Sequence, residues 1–322
     1  MFTPLLAMHI PDGFLSVPVA VIGWGILAVI LFLALRQTRQ QLGDRQIPLM
    51  GILAAFVFAA QMINFPVAGG TSGHLLGGAL VAILLGPWAA VLVMTSVIAV
   101  QGLLFQDGGL LAIGFNATNM GVIAAFVGYA AYALVGRVMR GGRSSQLIGA
   151  AVGAWLGVEG AALATALELA LSNTAALEIT LPAMLGVHAL IGIGEALITV
   201  AALAFIQQTR PDLIRGSSTE AAQGSGWIAA GLVIALAVVL VSPLADPNPD
   251  GLERVAEDQG FIATAQDAPY ELLPDYTVPF VESEAASTIL AGVIGVLLVA
   301  GVSYATARLS KKRDGASGSQ PV

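Results

Sequence analysis

The chain has 322 residues, of which 57% are hydrophobic and 10% charged, and its net charge is −7. That balance excludes a soluble globular domain and defines a polytopic membrane protein in contact with the lipid bilayer. The acidic charge argues against nucleic acid as a partner, and the absence of cysteine excludes disulfides, iron–sulfur clusters and thiolate metal sites.

The N-terminus holds the first signal, Met8-His9-Ile10-Pro11-Asp12-Gly13. Were Met8 the first residue, its amine, the deprotonated His9 amide and the His9 ring would close adjacent five- and six-membered chelate rings around one metal ion. A second imidazole would complete a planar, all-nitrogen set of the kind that suits Ni(II), Cu(II) or low-spin Co(II). The chain has three histidines, His9, His74 and His188. His74 follows the glycine-rich run Gly69-Gly70-Thr71-Ser72-Gly73 and is the candidate for that second ring. A free terminal His9 and a helix-capping His74 fit the same residues. Met1–Ala7 precedes Met8 without the basic region or apolar core of a signal peptide, so the mature chain is expected to begin at Met8.

Hydropathy marks nine apolar segments, near 17–35, 47–65, 73–86, 88–105, 119–136, 146–171, 181–206, 227–244 and 286–308. Splitting the third from the fourth at Gly86-Pro87 places 12 of the 13 basic residues on one side, and basic loops stay in the cytoplasm. The N-terminus is then expected outside and the C-terminus in the cytoplasm of a multi-pass cell-membrane protein. The third segment is short and glycine-rich, as suits backbone that is partly non-helical beside a cavity. Outside lie the Met8-His9 arm, the 68–74 loop, the 106–119 loop and an acidic loop, 245–285, with ten carboxylates against Arg254 alone. Within the spans, Glu159, Glu168, Glu195 and His188 must pair or face a cavity. His188 and Glu195 sit two turns apart on one helix face, fitting either a stripe that supports a site or a buried hydrogen-bond network.

Four ordered motifs then carry a resemblance: Met8–Gly13, Gly73-His74-Leu75-Leu76-Gly77-Gly78, Gly114-Phe115-Asn116-Ala117-Thr118-Asn119-Met120-Gly121 and His188-Ala189-Leu190-Ile191-Gly192-Ile193-Gly194-Glu195. Together they resemble the substrate-binding membrane subunit of cobalt/nickel energy-coupling-factor transporters. Pro249-Asp250-Gly251-Leu252-Glu253 is similar to the small PDGLE module, here fused at the C-terminal end. The resemblance implies an all-α fold, a seven-helix body (one N-terminal helix plus a six-helix core) followed by a two-helix module. It implies that Met8, His9 and His74 bind the metal. Asn116 and Asn119 are expected to hydrogen-bond around the site, with Asp12 and His188 among the supporting residues.

The expected organisation is a metal-binding arm over 1–16, a membrane body over 17–215, a linker over 216–226, a two-span module over 227–309 and a disordered cytoplasmic tail over 310–322. The module has no histidine, and its carboxylates are scattered among Pro and Gly, so it is expected to tune transport rather than to form the metal site. The expected function is capture of Co(II) or Ni(II), as transported substrate rather than cofactor, for an ATP-driven importer. With no Gly-x4-Gly-Lys-Ser/Thr in the chain, ATP hydrolysis would fall to cytoplasmic ATPase subunits joined through a membrane coupling subunit, and no enzyme activity is expected. Two rival functions stay open. One is a passive metal channel. The other is an intramembrane serine protease of the rhomboid type, with Ser72 of Gly70-Thr71-Ser72-Gly73 as nucleophile and His188 as base.

Overall fold

The computed structural model describes residues 8–39, 42–214 and 224–311. The Met1–Ala7 extension, most of the 216–226 linker and the tail from 312 onward lie outside the described residues. In chain order the helices are α1 (Val17–Thr38), α2 (Gln46–Gln61), α3 (Gly78–Leu85), α4 (Pro87–Val100), α5 (Ile113–Ala117), α6 (Ala124–Val138), α7 (Arg143–Leu171), α8 (Leu177–Thr209), α9 (Gly226–Val239), α10 (Gly251–Gln259) and α11 (Glu284–Ser310). A hairpin of three-residue strands, β1 (Phe65–Val67) and β2 (Thr71–Gly73), separates α2 from α3. Single π-helical stretches extend α4 over Gln101–Phe105 and join α5 to α6 over Thr118–Ile123.

Among the described residues, seven helices are long and apolar enough to cross a bilayer unaided: those over 17–38, 87–105, 113–138, 143–171, 177–209, 226–244 and 284–310. The fold is thus all-α and polytopic. The two remaining apolar segments are α2, at 16 residues, and α3, at 8. Eight helical residues rise about 12 Å, well short of the ~30 Å hydrocarbon core. α3 alone is therefore too short to cross, and its lead-in is non-helical, in keeping with the segment's glycine content. Gly77, at φ 83°, starts α3, and Gly86, at φ 91°, ends it just before Pro87 opens α4.

Packing explains which helices are central. All eight residues of α3 are buried, as are twelve of the sixteen in α2, so these two short helices lie inside the bundle. The longer helices surround them and turn apolar side chains outward; Val29, Leu197 and Val233 are each about 60% exposed or more. Small residues allow close crossings. A Cβ on Gly114 would lie 2.4 Å from the Trp24 backbone nitrogen of α1, and one on Gly295 of α11 would meet the Phe58 ring of α2 at 2.0 Å. The first of these crossings corrects the expected 106–119 loop. Helix begins at Ile113, because Gly114 lets α5 pack on α1 although Gly, Asn and Thr favour helix weakly.

Candidate metal site

Six stretches distant in sequence meet at one cavity of about 70 Å³. The arm supplies Met8, His9 and Ile10, and the lead-in to α3 supplies His74 and Leu76. Asn116 comes from α5, Asn119 and Met120 from the π-helical turn, Thr165 from α7, Met184 and His188 from α8, and Asp250 and Leu252 from the start of α10. The structure thus brings Met8, His9, His74, Asn116, Asn119 and His188 together at one place, and puts Asp12 beside it.

The arm is held by backbone capture. Asp12 accepts the N–H groups of Leu110 and Leu111 at 2.9 Å and of Ala112 at 3.3 Å. Asn116 grips Ile10 twice: its Oδ1 accepts the Ile10 N–H and its Nδ2 donates to the Ile10 carbonyl, both at 3.1 Å. On the other side, the Gln266 N–H donates to the Asp12 carbonyl at 2.8 Å. Phe14 packs edge-on against Phe261 in a second small core that joins the arm to α7, α8 and α10. These contacts leave the arm no slack at Gly109, where a Cβ would lie 2.1 Å from the Asp12 nitrogen. Gly109→Ala is expected to push the arm out of the cavity and weaken metal binding at least a hundredfold, an effect of about 2.8 kcal/mol. Calorimetry on the folded variant checks this; unchanged affinity would show that the arm does not contribute to binding.

His9 is buried, and its Nδ1 donates to the Asp107 carbonyl at 3.2 Å, with Asp107 Oδ1 equally close. Its Nε2 is buried with no hydrogen-bond partner. Asp107 in turn accepts a 2.6 Å bond from the Tyr276 hydroxyl. Burial alone would depress the His9 pKa, but the Asp107 carboxylate outweighs it and holds the ring above its ordinary value. His74 Nδ1 contacts the Leu75 carbonyl at 3.0 Å, and its Nε2 lies 3.3 Å from the Met8 carbonyl. Carbonyls only accept, so a neutral His9 bonded through Nδ1 keeps its lone pair on Nε2, whereas both ring nitrogens of His74 face acceptors. The two rings stand edge-on with centroids 5.5 Å apart.

Glu195 holds the His74 segment. Its carboxylate accepts the N–H groups of Leu76 at 2.6 Å and Gly77 at 2.9 Å, closing the start of α3. Glu195 is therefore a structural anchor, whereas His188 lines the cavity, with its Nδ1 bonded to the Met184 carbonyl at 2.8 Å. Asn119 Nδ2 donates to Thr165 and to Glu168. Its Oδ1 is buried without a partner. The protease pairing does not form: Ser72 Oγ donates to the Asn248 carbonyl at 2.7 Å, and His188 bonds within its own helix.

Three residues at or behind the cavity escaped the sequence reading: Asp107, Tyr276 and Asp250. The C-terminal module, expected to tune transport rather than to form the metal site, contributes Asp250 and Leu252 to the cavity wall. Among the described residues, no three His, Asp or Glu side chains are grouped so as to hold an ion by themselves.

Fold and cavity together define a polytopic membrane protein with a small, largely apolar pocket into which a few nitrogen- and oxygen-bearing side chains converge. The family model described as cobalt uptake substrate-specific transmembrane region (CbiM) matches residues 9–213, and the PDGLE domain model matches residues 225–312. The chain belongs to the CbiM family and carries a PDGLE domain at its C-terminal end. It is 30% identical over 333 residues to the fused nickel transport protein NikMN of Rhodobacter capsulatus, covering 92% of this chain and 96% of that protein. To the cobalt transport protein CbiM of Sorangium cellulosum it is 33% identical, over 64% of this chain and 94% of the relative. A crystal structure of a transition metal transporter matches with a TM-score of 0.57 and 36% identity, over 62% of this chain and 92% of that one.

Proposed function

We propose that the chain captures one Co(II) or Ni(II) ion in this cavity and passes it inward as the substrate-binding subunit of an ATP-driven importer. The observation that carries the reading is the convergence of two imidazoles from different elements on one small cavity, with the His9 Nε2 buried and unpartnered. A buried ring nitrogen without a partner is costly unless a ligand completes it. Nitrogen ligands suit both ions, and the fused and unfused relatives are named for nickel and cobalt transport. His9, His74 and backbone nitrogen at Met8 are the proposed donors, while Asn116, Asp12 and Asn119 fix the arm and the wall.

In this reading the N-terminal arm and the acidic loop face outward, and the basic clusters face the cytoplasm. The body over 17–215 supplies most of the cavity, and the module over 227–309 adds Asp250 and Leu252 to its wall. A coupling membrane subunit and ATPase subunits drive the site to open inward. Vesicles are the test. Accumulation of Co(II) or Ni(II) should require ATP together with the coupling and ATPase subunits. Metal flux through this chain alone would point to a channel instead, and ATP-driven uptake that survives loss of both His9 and His74 would overturn the site.

A further inference from the structure

The five residues Pro249–Glu253 act as one device. The Pro249 carbonyl accepts the Ser72 N–H at 2.8 Å, tying the segment to the strand that leads into His74. Asp250 caps α10: its Oδ1 accepts the Glu253 N–H at 2.8 Å, and Glu253 accepts the Asp250 N–H at 3.0 Å in return, a closed capping box. Gly251 has no room for a side chain, because a Cβ would lie 2.7 Å from Ile191 and 2.9 Å from the His188 ring. Leu252 seals the wall. The geometry leaves one Asp250 oxygen for another task. Oδ2 lies 3.9 Å from His74 Nε2, too far for a hydrogen bond, and the residue is 4% exposed.

We propose that Asp250 contacts the captured ion, its Oδ2 being an oxygen donor that the PDGLE segment carries to the His74 side of the cavity. The proposal rests on the reading of the cavity as a capture site for a divalent cation. Two donors on one ion at about 2.0–2.2 Å lie about 3 Å apart when adjacent and about 4 Å when opposite, which brackets the observed spacing. Charge argues the same way. A buried dication needs nearby negative charge, and the Asp107 carboxylate is already engaged with His9 and Tyr276. Co(II) and Ni(II) both accept a carboxylate oxygen beside nitrogen ligands.

Asp250→Asn separates this role from helix capping, because Asn caps as well as Asp does. On the purified full chain, titration with Co(II) and Ni(II) should show at least a tenfold weaker affinity, and the ligand-field bands of bound Co(II) should shift. Glu253→Gln, which keeps the capping-box pattern, should stay within threefold of the parent with unshifted bands. If Asp250→Asn does not fold, Asp250→Ser keeps a capping hydroxyl and bears the same two readouts. Unchanged affinity in Asp250→Asn, alongside lost binding in His74→Ala, would overturn the contact and leave the capture site standing. Weakened binding with unshifted bands would also overturn it, since charge alone would then account for the loss. A parent protein that binds neither ion would overturn the capture reading and this contact with it.

Discussion

His74→Ala is expected to abolish tight Co(II) or Ni(II) binding while the protein stays folded. The imidazole is the donor that the membrane body presents to the arm, and its Nε2 lies 3.3 Å from the Met8 carbonyl. The fold beneath it does not depend on the ring. The adjoining backbone is secured by Glu195 on the Leu76 and Gly77 N–H groups, and by Gln61, whose Nε2 donates to the Leu76 carbonyl at 2.9 Å. The truncation removes the ring's contacts with the Leu75 and Met8 carbonyls and with the His9 ring but none of the bonds that hold this backbone, so the melting temperature should move little. The metal loses a donor that nothing in the vacated space can replace. A loss of a thousandfold or more, about 4 kcal/mol, is the expected scale, read by calorimetry beside a thermal melt. Stoichiometric binding retained by a folded His74→Ala variant would sink the assignment of His74 and with it the shared His9–His74 site.

How far this site was legible in the sequence depends on what each residue's signal was. His9 and His74 stand out by type, because a cysteine-free chain with three histidines leaves few nitrogen ligands to consider. The arm motif and the two asparagines were readable as polar groups beside glycine. Their structural setting was not. Gly114–Asn119 reads as a loop on local propensity, yet close packing against α1 makes it helical, and a π-helical turn aims Asn119 into the cavity. Asp107 and Tyr276 become partners across 169 positions, a contact that no local pattern encodes. Asp250 carried half a signal. Its pairing with Glu253 three residues on marks a helix start, but only the tertiary fold decides which cavity its second oxygen faces. Of ten carboxylates in the acidic segment, nothing in the spacing singled this one out.

A chain whose first residue is Met8 should bind Co(II) or Ni(II) at least a hundredfold more tightly than one in which Met1–Ala7 precedes it. The reason lies in the donors. With residues ahead of it, Met8 offers an amide nitrogen, and the site has two imidazole lone pairs and the oxygens around them. As the first residue it offers an amine, and the His9 amide and ring can then close two fused chelate rings on the ion. That chelate requires His9 Nδ1, which in this structure faces Asp107. A half turn of the ring about Cβ–Cγ settles the conflict. Nδ1 moves to the place of Cδ2, and Nε2 takes the place of Cε1, on the Asp107 side. Asp107, held in place by Tyr276, then receives its hydrogen bond from Nε2 and keeps the ring oriented for the metal. Proton release gives a second readout, because an amine and an amide that ligate must each shed a proton. Calorimetry in buffers of different protonation heat should therefore count more protons released by the Met8-first chain. Equal affinity and equal proton release, with both termini verified by mass, would show that the amine is not a donor and that the ion is held by the Nε2 lone pairs of His9 and His74.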